Sequence, residues 1–109
     1  MEFIRITADN FNKLKDLHIA YKAEIGEGAP TDAELDRLIT AIKSNQIYFF
    51  GCVYNGEPVA CCSVSPTFST FNYQSSGIFE DFYIKPEHRR QGIAKKLVDY
   101  AYNESKLGL

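Results

Sequence analysis

Asn55-Gly56 sits between two apolar runs, and no other pair of residues limits the fold of this chain so sharply. Upstream, Gln46 to Tyr54 carries Ile47, Tyr48, Phe49, Phe50, Val53 and Tyr54, a β-branched and aromatic run too short and too evenly apolar for a surface helix. Asn-Gly suits a type I′ turn, whose two central residues both need positive φ, so Val53-Tyr54 and Pro58-Val59 are expected as antiparallel neighbours in a hairpin. The second strand should run from about Glu57 to Ser65, where Pro66 breaks it.

The remaining elements follow from spacing. Phe3 to Thr7, with Phe3, Ile4 and Ile6 set among Arg5 and Thr7, reads as a short first strand. Asp9 or Asn10 offers an N-cap to a helix from Phe11 to about Ile25, along which Phe11, Leu14, Leu17 or His18, Tyr21 and Ile25 recur at helical spacing before Gly26 ends it. Thr31-Asp32-Ala33-Glu34 is a capping-box pattern, and Leu35, Leu38, Ile39 and Ile42 form the stripe of a second helix that ends at Ser44-Asn45. Thr67 to Ser76, polar and aromatic, is expected as a long loop, functional or mobile. Ile78, Phe79, Phe82, Tyr83 and Ile84 make a further strand, interrupted by Glu80-Asp81 and stopped by Pro86. From Arg90 onward, Ile93, Ala94, Leu97, Val98, Ala101 and Tyr102 mark a third helix ending near Gly108. The order is β-α-α-β-β-β-α, an α/β chain of the α+β kind with a mixed sheet.

At 109 residues and 45% hydrophobic content, the chain suffices for one core, so residues 1–109 read as one domain. The formal net charge of -2 gives no general reason to bind nucleic acid or an anionic membrane, although Lys85 to Lys96 is locally basic. No stretch approaches the ~20 apolar residues of a membrane span, and Met1 to Arg5 does not open a signal peptide. Cys52, Cys61 and Cys62 are odd in number, and adjacent strand residues face opposite ways, so they read as reduced thiols rather than metal ligands. A cytoplasmic protein without a metal is the expectation.

Glu80 to Ala94 reads as a strand running through a Pro-containing turn into the start of an amphipathic helix. The first N–H groups of a helix lack intrahelical acceptors and lie at the positive end of its dipole, so such a junction suits a phosphate. Arg89-Arg90-Gln91-Gly92-Ile93-Ala94 fits R-x-x-G-x-A and resembles the acetyl-CoA-binding signature of the Gcn5-related N-acetyltransferases (GNAT), whose N-terminal half has a similar element order. Gly92 leaves room for close backbone approach, Ala94 is small, Ile93 anchors the turn, and Arg89, Arg90, Lys95 or Lys96 can add charge. The resemblance implies a GNAT-like acyl-CoA N-acyltransferase fold with acetyl-CoA as cosubstrate. It also implies that amides from Arg90 through Gln91 to Lys95 hold the pyrophosphate. Main chain of Phe82, Tyr83 and Ile84 would then pair with the pantetheine arm like an added strand.

Phe68-Ser69-Thr70-Phe71 and Ile78-Phe79-Glu80-Asp81-Phe82-Tyr83 are similar to the S-T-F loop and L-E-D strand of the diamine and polyamine acetyltransferase branch, with Phe79 in place of the usual Leu. A primary amine, with or without a second positive charge, is the substrate this implies. An ammonium must lose a proton before it attacks a thioester, and the resemblance puts the base at Glu80. Since strand neighbours face opposite ways, only one of the two can point at a given substrate, and Asp81 is expected to brace the loop or a strand end instead. Neither His18 nor His88 has a sequence-evident link to a Cys, so both read as packing or surface residues. Glu24, Glu27, Asp32 and Glu34 cluster around the first helix–helix connection, as a solvated acidic face or an attraction for cations. The family's C-terminal strand, its Asn- and Tyr-bearing helix and its final hairpin have no counterpart here, so the domain reads as truncated after the third helix. The alternative expectation is an inactive GNAT-like module that joins another chain, such as a second copy in a homodimer, through its exposed sheet edge.

Overall fold

The computed structural model describes the backbone of residues 1–108 and the side chains of residues 1–105. The elements are β1 (Glu2–Ile6), α1 (Asn12–Glu24), α2 (Asp32–Lys43), β2 (Tyr48–Tyr54), β3 (Glu57–Ser69), β4 (Gln74–Ile84), a 3-10 turn (Pro86–His88) and α3 (Ile93–Gly108). The four strands form one sheet in the order β1-β2-β3-β4, and all three pairings are antiparallel, so no parallel pair makes it mixed among the described residues. Asn55 and Gly56 take φ of 51° and 79°, and Val53 lies opposite Pro58 as the turn chemistry requires. No helix among the described residues is long and apolar enough to cross a membrane.

Pro66 does not end β3, and Thr67–Ser76 is not a loop. β3 and β4 stay paired out to Ser69 opposite Gln74, with Pro66 opposite Gly77. β2 reaches only to Tyr48 opposite Val64, so beyond Val64 one side of β3 has no strand to bond, and a missing N–H there costs no ladder bond. The tip closes locally: Ser69 Oγ accepts from the Phe71 N–H and Asn72 Oδ1 from the Gln74 N–H, each at 3.2 Å, with Tyr73 at φ 56°. Composition resembled a loop because this arm is solvated on both faces.

Alternation along β2 and β3 divides the core. Tyr48, Phe50, Cys52, Cys62 and Val64 pack with Ile93, Leu97 and Ala101 of α3, while Phe49 and Cys61 meet Leu14, Leu17, Leu35 and Ile42 of α1 and α2. Cys61 and Cys62 thus face opposite sides, as strand geometry dictates. The ends of α1 and α2 follow the sequence with one exception. Thr31 and Glu34 form the capping box, at 3.1 and 2.9 Å. α1 closes through Gly26 at φ 82°, where Glu27 N–H reaches the Lys22 carbonyl and Gly26 N–H the Ala23 carbonyl, a Schellman end. Asn10, a candidate N-cap of α1, instead accepts from the Thr7 N–H at 2.6 Å, and Phe11 occupies the cap position without a side-chain bond.

Candidate active site

The two carboxylates in β4 sit at a break in the ladder. Between Cys61 opposite Tyr83 and Ser63 opposite Glu80, the single residue Cys62 faces both Asp81 and Phe82. This is a β-bulge, and Asp81 carries it at φ 51°. The extra residue resets the alternation, so the expectation that Glu80 and Asp81 face opposite sides fails. Glu80 lies opposite Ser63, and Asp81 Oδ2 accepts from Ser63 Oγ at 2.7 Å. Both carboxylates act electrostatically on Tyr21 of α1. They share the α1 side of the sheet. Glu80 is exposed, while Asp81 is half-buried against fully buried Ser63, so the pair is stabilised by water on one member and a hydrogen bond on the other. Ser63 had no signal in the sequence, because only the register of β3 against β4 brings it to Asp81.

Downstream, Phe82 and Ile84 pack toward α3, and Tyr83 toward α1. Arg89 sets where the strand ends: its Nε donates to the Ile84 carbonyl at 2.8 Å and its Nη2 to Glu24 Oε1 at 2.7 Å, with the guanidinium over the Tyr83 ring. Arg90 and Gly92 both take positive φ, 66° and 79°. Gly92 therefore precedes α3 in the left-handed region instead of lying within its first turn, and a Cβ there would meet nothing within 4 Å but would still be strained. Left-handed residues in a turn gather successive N–H groups into an anion-binding concavity. The first ladder bond of α3 runs from Lys96 N–H to the Gly92 carbonyl at 3.3 Å, so the N–H groups of Ile93, Ala94 and Lys95 precede the ladder. Ile93 is buried beneath the turn, whereas Arg90, Gln91, Ala94, Lys95 and Lys96 are exposed. Open main-chain donors, space at Gly92 and flanking cations fit a pyrophosphate.

Three of the four carboxylates near the α1–α2 connection have partners within the fold. Glu24 holds Arg89, Glu34 completes the capping box, and Glu27 Oε2 pairs with Lys22 Nζ at 2.9 Å. Burial pushes the Cys61 and Cys62 thiols up, Cys62 to about 12, which leaves them protonated and poor nucleophiles. No group of three or more His, Cys, Asp or Glu residues that could hold a metal ion occurs among the described residues. A concavity of about 590 Å³ opens elsewhere, between the first half of β4 and α3, lined by Val64, Gln74, Phe79 and Tyr102 among others. Among the described residues its wall has no carboxylate, imidazole or thiol, and its polar side chains are the Gln74 amide and the hydroxyls of Ser75, Ser76, Tyr102 and Ser105.

A strand broken by a bulge thus leads into a turn of open amides at a helix start. The chain belongs to the acetyltransferase (GNAT) family, whose sequence model matches residues 11–106. Its class is therefore that of an N-acetyltransferase using acetyl-CoA, which does not favour the inactive module. Solved structures share the fold. A probable acetyltransferase superposes with a TM-score of 0.86 at 20% identity, covering 97% of this chain and 72% of that one. An aminoglycoside acetyltransferase from an uncultured soil metagenomic sample, in complex with sisomicin, gives 0.84 at 17% identity, covering 98% and 70%. A predicted acetyltransferase from Clostridium acetobutylicum, with acetyl-CoA, gives 0.78 at 16% identity, covering 96% and 73%. No curated protein matches the sequence.

Proposed function

We propose that this protein moves an acetyl group from acetyl-CoA directly to the primary amine of a small molecule, with Glu80 taking the proton of the attacking ammonium. The observation that carries this reading is the bulge at Asp81, which leaves an exposed carboxylate at Glu80 next to the main chain that leads into the amide-rich turn. Glu80 accepts the proton directly or through water, and the freed nitrogen attacks the thioester carbonyl. A strand N–H near Phe82 donates to the carbonyl oxygen as it gains charge. When the carbon–sulfur bond breaks, the thiolate leaves with its electron pair and takes up through solvent the second proton that the nitrogen sheds as it becomes an amide, while Glu80 releases the first to solvent. Main chain of Phe82, Tyr83 and Ile84 aligns the pantetheine arm, and amides from Arg90 to Lys95 hold the pyrophosphate beside Arg90 and Lys95. The Arg89 guanidinium is committed to Ile84 and Glu24, so its part is to fix where strand gives way to turn.

Acceptors of the diamine or polyamine kind are favoured by the Phe68-Ser69-Thr70-Phe71 and Glu80-Asp81 resemblance and by the acidic side of β4. The test is mass spectrometry of acetyl-CoA incubated with 1,4-diaminobutane and the protein. We expect one acetyl group added per diamine, one free thiol released for each, and saturation in both substrates. A folded protein that neither binds acetyl-CoA in calorimetry nor acetylates any of a panel of primary amines would overturn the proposal.

A further inference from the structure

A turn that offers its amides to a phosphate cannot also bond them within itself, so local residues can shape the stretch from Arg90 to Lys95 but cannot stiffen it with backbone bonds. Side chains have to hold it. On the α3 side the hold is Ile93, 1% exposed and packed in the core with Leu97. On the strand side it is Arg89. The Lys85 N–H bonds the Val59 carbonyl at 2.9 Å, so the carbonyl of the same peptide, that of Ile84, points the other way, to the open edge of β4. Arg89 Nε takes that carbonyl at 2.8 Å, its guanidinium lies over the Tyr83 ring, and its Nη2 reaches Glu24 Oε1 at 2.7 Å.

Glu24 is the last residue of α1 and lies 65 positions before Arg89. Since α1 and α3 pack on opposite faces of the sheet, the pair ties the helix layer on one face to the turn that opens the helix on the other. The two side chains are 47% and 40% exposed, so water screens the pair and it adds little to global stability. Its effect is on geometry. A guanidinium bonded through Nε alone can pivot about that bond, whereas one held at Nη2 as well is fixed, and so is the chain that leaves it for Arg90.

We propose that Glu24 is a positioning residue for acetyl-CoA: acting through Arg89, it holds the turn in its phosphate-accepting shape before the cosubstrate arrives, without touching it. Such preorganisation raises affinity by lowering the cost of ordering the site. The inference rests on the reading that this turn holds the pyrophosphate, and adds a residue of α1 to what makes it do so. Charge alone predicts the reverse, because removing a carboxylate near a phosphate site should tighten binding. The sign of the effect separates the two.

Calorimetry with acetyl-CoA should compare the full wild-type chain with Glu24→Ala, Glu24→Gln, Arg89→Met and the Glu24→Ala/Arg89→Met double variant, with urea midpoints measured alongside. Glu24→Ala should bind about fivefold more weakly at a urea midpoint close to that of the wild type. Glu24→Gln, which keeps an oxygen for Arg89 Nη2, should lose less. With Arg89→Met already present, Glu24→Ala should change nothing further. NMR order parameters of the Arg90 and Gly92 amides in the ligand-free protein should fall in Glu24→Ala. Unchanged or tighter binding, an equal loss with and without Arg89, or an unaltered turn overturns the role of Glu24 and leaves the cofactor reading in place. A folded wild-type chain that does not bind acetyl-CoA overturns the cofactor reading itself, and this inference with it.

Discussion

The turn from Arg89 to Lys95 and the bulge at Asp81 are neighbours along the chain but are built in opposite ways. The turn presents main chain, and its shape comes from residues within a few positions of one another: Pro86, two left-handed residues and the start of α3. The bulge presents side chains, and its shape depends on Ser63, 18 residues away on β3. A ligand common to a whole family can be held by backbone, which sequence drift leaves in place. The partner that varies among members must be met by side chains, whose aim is set by the fold around them.

The largest effect is expected from Gly92→Glu. It adds left-handed strain and a carboxylate beside the phosphates, and acetyl-CoA affinity should fall by about 1000-fold or more in calorimetry. Gly92→Ala, carrying strain alone, should lose only about tenfold, and equal losses would show that charge has no part at this turn. Glu80→Gln comes next. At this exposed position the fold should hold while kcat falls by about 100-fold or more with acetyl-CoA affinity unchanged; a wild-type kcat would move the proton transfer elsewhere.

Ser63→Ala sharpens the contrast by acting on the bulge from β3. It removes a bond to a charged group and should lower stability by about 2 kcal/mol in urea denaturation. It should also lower kcat while acetyl-CoA binding is retained, because the turn does not depend on Ser63. A smaller effect concerns pH. Burial holds the His18 pKa below its ordinary 6.5, with Asp81 and Glu27 opposing that shift and Lys22 reinforcing it. Above 6.5 the folded and unfolded chains are both neutral at this residue. Below it the unfolded chain takes up a proton that the fold resists, so stability falls with pH until the folded pKa is passed. His18→Gln should flatten that part of the urea-midpoint profile.

Elements whose cause is local were legible in the sequence. Asn55-Gly56 declared its turn, Thr31 and Glu34 their capping box, Gly26 the end of α1, and Arg89 to Ala94 the strand-to-helix junction. Pro66 misled because a proline is disruptive only where a strand would have bonded its N–H, and no local pattern says that β2 stops at Tyr48. Glu80 and Asp81 misled for the same reason, since a bulge is a property of two strands in register.

By itself, then, the sequence determined the order of elements, the turn chemistry and the strand-to-helix junction from Arg89 to Ala94, because each depends on φ preferences and spacing over a few positions. Tertiary structure alone decided that Asp81 is held by Ser63, that both carboxylates face α1, and that His18 is buried with one nitrogen unpaired. Those facts arise from pairing register and helix packing, which join residues far apart in the chain and leave no trace in its local pattern.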